Sequence, residues 1–376
     1  MENVYKKHYK KTISVSNYNR VHLAIRENLN KELNKILNFK DDYQFWFYER
    51  RFEKDFAKYC GKKYGIGLCS GTAALQFSLF ASGIKHGDEV ITTPFTYIAT
   101  ALSIYNIGAK PVFVDIDPRT FTIDVDKIED SITERTKAIL PVHIYGHPCE
   151  MGKIMKIAKK YELAIIEDCA QACGSLYKKK KVPFTNLGCF SFHTSKILGG
   201  LGDGGIAVTN IKEVDRIVNA LRDPVSNDNL LKFSKRTPSF LDSIQIAFLK
   251  SKLPFLDEWI EKRRQIAKFY NEELEKTSVE TPYETADVKH SYFRYTVKSK
   301  NRNKLKRFLF KHGVDTGTEH YELHLAKIFQ DSGHKRGDFP MTEECNRRVL
   351  YLPINQFLKE GEITKIARLI KLFDKK

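Results

Sequence analysis

Cys189-Phe190-Ser191-Phe192-His193-Thr194-Ser195-Lys196-Ile197-Leu198-Gly199-Gly200-Leu201-Gly202-Asp203-Gly204-Gly205 sets a single lysine between a short apolar run and five glycines. Elsewhere the basic residues are scattered over helix-like segments with interleaved glutamates, as in Glu258-Trp259-Ile260-Glu261-Lys262. A lysine partly desolvated between aromatics and a glycine turn has a lowered pKa, and a neutral amine is the nucleophile that condenses with carbonyls. The same glycines match a dinucleotide-binding pattern at Gly200, Gly202 and Gly205. They lead into the strand-like Ile206-Ala207-Val208 and open no helix, so a nicotinamide site is rejected there.

Working outward, short β-branched runs alternate with helical stretches from about residue 49 to 210. The runs Tyr64-Gly65-Ile66-Gly67-Leu68, Glu89-Val90-Ile91-Thr92, Pro111-Val112-Phe113-Val114, Ala138-Ile139-Leu140, Leu163-Ala164-Ile165-Ile166 and Gly205-Ile206-Ala207-Val208-Thr209 are apolar on both sides. That is how strands buried on both faces of a mainly parallel sheet read. The fold class expected is α/β: a large domain over 1–245 whose mainly parallel mixed sheet is flanked by helices, and a smaller C-terminal α+β domain over 246–376.

The 376 residues carry a net charge of +17. The basic residues form no stripe and no nucleic-acid module accompanies them, so a nucleic-acid partner is not expected. The densest run, Lys178-Lys179-Lys180-Lys181, reads as an exposed hairpin tip. No segment approaches the roughly 18 apolar residues that span a membrane. Seven cysteines and no export signal point to reduced thiols and a cytoplasmic location. Cys169/Cys173 and His320/His324 are spaced like metal-ligand pairs but lack companion pairs, so no metal is expected.

Ligands of α/β sheets collect where strands end and helices begin. Four segments meet that description. Ser70-Gly71-Thr72-Ala73 follows a strand and opens a helix, offering a hydroxyl and free N–H groups to a phosphate. Thr93-Pro94-Phe95-Thr96-Tyr97 offers an aromatic ring, and Ile166-Glu167-Asp168-Cys169-Ala170-Gln171 ends an apolar strand in two acids and an amide. Side chains alternate across a strand, so only one of the two acids faces a strand-end pocket. The fourth segment is the one around Lys196, 28 residues beyond Asp168. Pyridoxal phosphate asks for all four groups together: an amine for its aldehyde, an acid for its ring nitrogen, small donors for its phosphate and a ring to stack on.

These segments resemble the DegT/DnrJ/StrS nucleotide-sugar aminotransferases, which share the aspartate aminotransferase fold. SGTAAL at 70, TPFTYIATA at 93, PVHIYG at 141, IIEDCAQACGS at 165, FSFHTSKILGGLGDGGIAVTN at 190 and LDSIQIAFL at 241 carry the resemblance. It implies that Lys196 bonds the pyridoxal 5'-phosphate aldehyde and shuttles the proton, and that Asp168 pairs with the ring nitrogen. It also implies Tyr97 and Gln171 at the ring, with Gly71, Thr72, Ala73 and Ser191 at the phosphate. His143, His193, Ser239, His320 and His324 are the substrate-binding candidates. Some relatives that carry His at the lysine position are dehydratases, and Lys196 is retained here, which favours transamination over that alternative; another pyridoxal enzyme of the same fold, such as a small-amino-acid lyase, and a non-catalytic ligand sensor are the remaining rivals. Pro238 and Phe240 stand where many relatives have Asn and Arg. The resemblance further implies L-glutamate as amino donor and a nucleotide-linked keto-sugar as acceptor. It also implies amino-sugar synthesis for a surface glycan or glycosylated metabolite, and a homodimer with sites at the interface. The Gly-Asp-Gly-Gly form of the turn leans toward sugar C3 over C4.

Overall fold

The computed structural model describes residues 12–223, 237–319 and 321–375. Helices α1 (Tyr18–Leu37) and α2 (Asp42–Tyr59) lead into β1 (Tyr64–Leu68), α3 (Gly71–Ala81), β2 (Glu89–Thr92), α4 (Ala99–Tyr105) and β3 (Lys110–Phe113). There follow β4 (Thr136–Ile139), α5 (Met151–Lys160), β5 (Ala164–Ile165), β6 (Glu167–Asp168), the pair β7 (Leu176–Tyr177) and β8 (Lys180–Lys181), then β9 (Leu187–Ser191), β10 (Gly205–Thr209) and α6 (Lys212–Arg222).

The apolar runs become strands because neither face needs to meet water: every residue of β2 and of β10 is buried. Strand β2 pairs in parallel with β3 and β4, β4 pairs in parallel with β5, and β6 pairs in parallel with β9. Asp168 N–H donates to the Pro141 carbonyl at 2.9 Å, and His143 N–H donates to the Asp168 carbonyl at 3.1 Å. These bonds carry the ladder from β5 into β6, so one sheet runs β3-β2-β4-β5/β6-β9-β10-β1. Of these strands only β10 runs against its neighbours. Its first residue, Gly205, therefore lies opposite both Ser191 and Leu68, at the edge where the parallel strands end.

One core lies under α3, where Leu75 and Leu79 meet Ile66 and Ala207. A second lies on the other side, where Phe52 and Phe56 of α2 pack on Phe190 and Phe192; Phe56 sits edge-on to both at 5.1 Å. The lysine run forms the expected hairpin tip, β7 pairing antiparallel with β8 and Lys178 and Lys179 taking left-handed backbone at φ 46° and 64°.

The rest of the described chain comprises α7 (Ser243–Lys252), α8 (Leu256–Leu274), β11 (Val288–Lys289), β12 (Tyr295–Lys298), α9 (Arg302–Lys311), α10 (Pro340–Arg348), β13 (Val349–Leu352) and α11 (Glu360–Phe373). Strands β12 and β13 pair antiparallel, and a third core gathers Ile266, Tyr270, Tyr295, Leu305, Leu350 and Ile366. Ile13 joins this core and forms a parallel bridge with Val314. The expected division at 245/246 falls inside α7, while Ile246, Leu256 and Ile260 still pack with Phe52 and Phe190.

Candidate active site

The strand ends enclose a cavity of about 410 Å³. Lys196 reaches it from the loop after β9, with Nζ 4.8 Å from the centre of the Phe293 ring. Burial lowers the Lys196 pKa to about 8, against the opposing pull of the Asp168 charge. The glycine-rich loop is folded back on itself. Phe192 N–H donates to the Gly204 carbonyl and Gly200 N–H to the Phe192 carbonyl, both at 2.7 Å. Helix α7 holds it from outside: Gln245 Oε1 accepts from Leu201 N–H at 2.7 Å, and Lys252 Nζ donates to the Gly199 carbonyl at 2.5 Å.

Asp168 faces the cavity from the end of β6. Its Oδ1 accepts from Ala170 N–H at 3.0 Å and its Oδ2 from Thr100 Oγ1 at 2.8 Å. Burial pushes its carboxyl up, and those hydrogen bonds together with the Lys196 charge offset only part of the rise. Strand alternation sends Glu167 the other way, into the protein. There it accepts from Phe184 N–H at 2.8 Å and from Thr185 N–H and Oγ1 at 2.5 Å each, and pairs with His143 Nε2 at 2.8 Å. Burial raises its carboxyl, but the bonds from His143 and Thr185 outweigh that and hold it low.

The same alternation corrects the reading of His143. Val142 lines the cavity, whereas His143 is fully buried behind it. Its Nδ1 accepts from Cys149 N–H at 3.0 Å and its Nε2 faces Glu167, so the ring is a structural bridge and cannot reach a substrate in the cavity. His143, Glu167 and Cys169 bring potential ligand atoms within 4.8 Å of one another, yet both imidazole nitrogens are already engaged. His324 is corrected likewise: it is buried, its Nε2 3.2 Å from Glu343 Oε1 and its ring 4.8 Å from that of Phe339. Ser239 is buried beside the end of β1, its carbonyl accepting from Cys69 N–H at 3.1 Å, and does not line the cavity. Phe240 lies over the Arg222 guanidinium at 5.3 Å. His320 lies outside the described residues.

Ser70, Gly71, Thr72, Ser191, His193 and Ser195 line one end of the cavity. A Cβ on Gly71 would come 2.9 Å from Ser191 Cβ, and one on Gly205 would come 2.3 Å from the Ser70 carbonyl, so glycine is required for the backbones to close this cradle. Ala73 differs from expectation: its N–H is spent on the helix cap, donating to Ser70 Oγ at 3.1 Å, and the residue is not in the lining. Tyr97 stands 61% exposed at the mouth and Gln171 is buried at the wall, its Oε1 accepting from Tyr145 N–H at 2.9 Å. Thr96, Thr100, Phe293, Arg294, Glu319 and Tyr321 also line it, and the sequence alone does not single them out. A small-residue cradle, a buried acid and a desolvated amine around one cavity fit pyridoxal phosphate.

Residues 24–371 match the model of the DegT/DnrJ/EryC1/StrS aminotransferase family. Over 339 residues the chain is 40% identical to a pleiotropic regulatory protein of Geobacillus stearothermophilus, covering 87% of this chain and 90% of that one. Over 362 residues it is 37% identical to the UDP-N-acetyl-3-dehydro-alpha-D-glucosamine 3-aminotransferase of Acidithiobacillus ferrooxidans, covering 94% and 95%. The fold is similar to that of NtdA from Bacillus subtilis with bound cofactor PMP, with a TM-score of 0.87 and 28% identity over 97% of this chain and 86% of that one.

Proposed function

From the premise that the chain belongs to the DegT/DnrJ/EryC1/StrS aminotransferase family and is a pyridoxal-phosphate-dependent aminotransferase, we propose that it moves an amino group from L-glutamate to a keto-sugar carried on a nucleoside diphosphate, as a homodimer. Position 3 of the sugar is the proposed site, which the Acidithiobacillus relative's 3-dehydro substrate supports. The observation that carries the reading is the placing of Lys196 and Asp168 around one cavity.

The cofactor, when bound, supplies an electron sink for the carbon that loses its proton. The protein supplies the rest. Lys196 Nζ is the proposed attachment point and proton carrier; with a pKa of about 8, roughly a tenth of it is neutral at pH 7 and able to accept a proton. Asp168 is proposed to hold the ring nitrogen's proton, a cation that stabilises its otherwise costly buried charge. Gly71, Thr72 and Ser191 are proposed to take the phosphate at the start of α3, where the helix dipole favours an anion. Tyr97 and Gln171 are proposed to position the ring. Phe293 shields the amine from water.

The test is a screen of thymidine-, uridine- and guanosine-diphosphate-linked 3- and 4-keto sugars with L-glutamate, read by mass. Amination of a 3-keto sugar is the expected outcome; amination only of 4-keto sugars, or loss of a hydroxyl without gain of nitrogen, would refute the assignment.

A further inference from the structure

The cavity wall opposite the sheet holds two charged groups that the proposed reaction leaves without a task. Arg294 lies against the rings of Phe293 and Tyr351, its guanidinium carbon 4.6 and 4.4 Å from their centres. Its Nε stops 3.8 Å from Glu319 Oε1, beyond hydrogen-bond distance. Among the described residues neither that Nε nor Glu319 Oε2, both buried, has a hydrogen-bond partner. Buried ionic groups ordinarily complete their hydrogen bonds, so a facing ion pair that stops short of one leaves room for a third group.

The surroundings add positive charge. Buried Arg263 donates from Nη1 to the carbonyls of Tyr292 and Ile354, at 3.0 Å each, which fixes the backbone next to Phe293 and Arg294. Burial, and then the neighbouring Arg294 charge, lower the Arg263 pKa to about 9. Lys196 is also within the electrostatic reach of both Arg294 and Glu319, so the pair stands beside the reacting amine. Among the described lining residues Arg294 carries the single guanidinium. A guanidinium stacked on aromatic faces keeps its edge for a two-pronged bond to a planar anion.

The geometry points to Arg294 as the carboxylate-binding residue of this cavity, with Glu319 as the charge that competes for it. The inference rests on the aminotransferase reading of the same site. Two substrates of that reaction could bring a carboxylate to this wall: the donor amino acid through its α-carboxylate, or a sugar acceptor oxidised to a uronate.

The experiment follows the two half-reactions of the holoenzyme separately by cofactor absorbance. The donor arm compares L-glutamate with 4-aminobutyrate, which lacks the α-carboxylate; the acceptor arm compares nucleotide-linked 3-keto sugars with and without a C6 carboxylate. In Arg294→Gln the KM for L-glutamate is expected to rise roughly tenfold or more, the loss of a charge-assisted pair, and by a larger factor than the KM for 4-aminobutyrate. The same loss confined to the uronate arm assigns the carboxylate to the sugar. Arg294→Lys should recover part of either effect, and Glu319→Gln, which removes the competitor, should lower the affected KM several-fold. Where Arg294→Gln fails to fold, as judged by its melting curve, Glu319→Gln decides. KM values unchanged in every arm, or raised in Glu319→Gln, overturn the inference. A wild-type enzyme that runs the donor half-reaction but aminates no nucleotide sugar refutes the proposed acceptor and leaves the donor arm to judge Arg294.

Discussion

Thr100 Oγ1 donates a 2.8 Å hydrogen bond to Asp168 Oδ2 on the cavity wall, and Thr96 Oγ1, in the bend before α4, lies 3.0 Å from Thr100 Oγ1. A hydrogen bond to an ionised carboxylate favours the charged form, and this one opposes the rise that burial imposes on Asp168. Thr100→Val keeps the shape and removes the donor. Such bonds are worth about 1.5–3 kcal/mol, so affinity for pyridoxal phosphate should fall on the order of tenfold or more. Titration of cofactor-free protein followed by absorbance measures it. Thr96→Val, one step removed from the carboxylate, should have a smaller effect; equal affinities for wild type and Thr100→Val would remove this role.

That threonine pair shows what the sequence could and could not say. Its spacing of four in TPFTYIATA straddles the start of α4 at Ala99, and nothing local says that these hydroxyls meet Asp168 across 68 residues. The sheet was readable because strands buried on both faces need continuous β-branched runs, and the strand-end positions of Asp168 and Lys196 followed from it. His143 was misread because alternation tells that Val142 and His143 face opposite ways without telling which way is inward. The wall built by Phe293, Arg294, Glu319 and Tyr321 comes from the far part of the chain. Its one local trace is an arginine inside the strand-like Ser291-Tyr292-Phe293-Arg294-Tyr295.

The Lys196 amine sets a second prediction. With its pKa at about 8, the neutral fraction grows about tenfold per pH unit below that value and levels off above it. The donor half-reaction in the saturated enzyme should therefore rise with pH and flatten near pH 8. Lys196→Ala should lose a factor on the order of 10²–10⁴, the range of positioned proton transfer. Added ethylamine should restore part of the rate in this variant but not in Asp168→Ala. A flat pH profile from 6 to 9 would show that Lys196 carries no rate-determining proton.

Two glycines at the cradle should respond unequally to a methyl group. At Gly71 the new Cβ meets Ser191 Cβ at 2.9 Å and Cα at 3.3 Å, a milder clash that Ser191 has to move to relieve. At Gly205 it meets the Ser70 carbonyl carbon and oxygen at 2.3 Å and the Gly71 nitrogen at 2.5 Å, all main chain. Overpacking costs about 1–3 kcal/mol where neighbours can yield and more where they cannot. Gly205→Ala should thus lower stability to urea more than Gly71→Ala, while Gly71→Ala should show mainly weakened cofactor binding. The reverse order in urea unfolding would mean that the Ser70 turn is not held as rigidly as its contacts imply.

Lys252 offers a prediction in which stability and rate separate. Its ammonium is buried, lies 5.7 Å over the Phe248 ring near His22, and donates to the Gly199 carbonyl at 2.5 Å. Burial alone lowers its pKa to about 8. A base whose folded pKa lies below its unfolded value binds fewer protons when folded between the two. The cost of burying its charge is therefore fully present below about pH 8 and fades as pH rises toward the unfolded value. Lys252→Met removes that cost, on the order of 1–3 kcal/mol, and leaves the Gly199 carbonyl without its donor, a loss of about 1 kcal/mol. The variant should be at least as stable as wild type at pH 7, with a flatter dependence of melting temperature on pH from 8 to 10.5. Its Lys196 turn, freed on one side, should run the donor half-reaction several-fold more slowly at an unchanged KM. If Lys252→Met melts lower at pH 7 and turns over at the wild-type rate, the ammonium serves the fold of α7 and not the placing of Lys196.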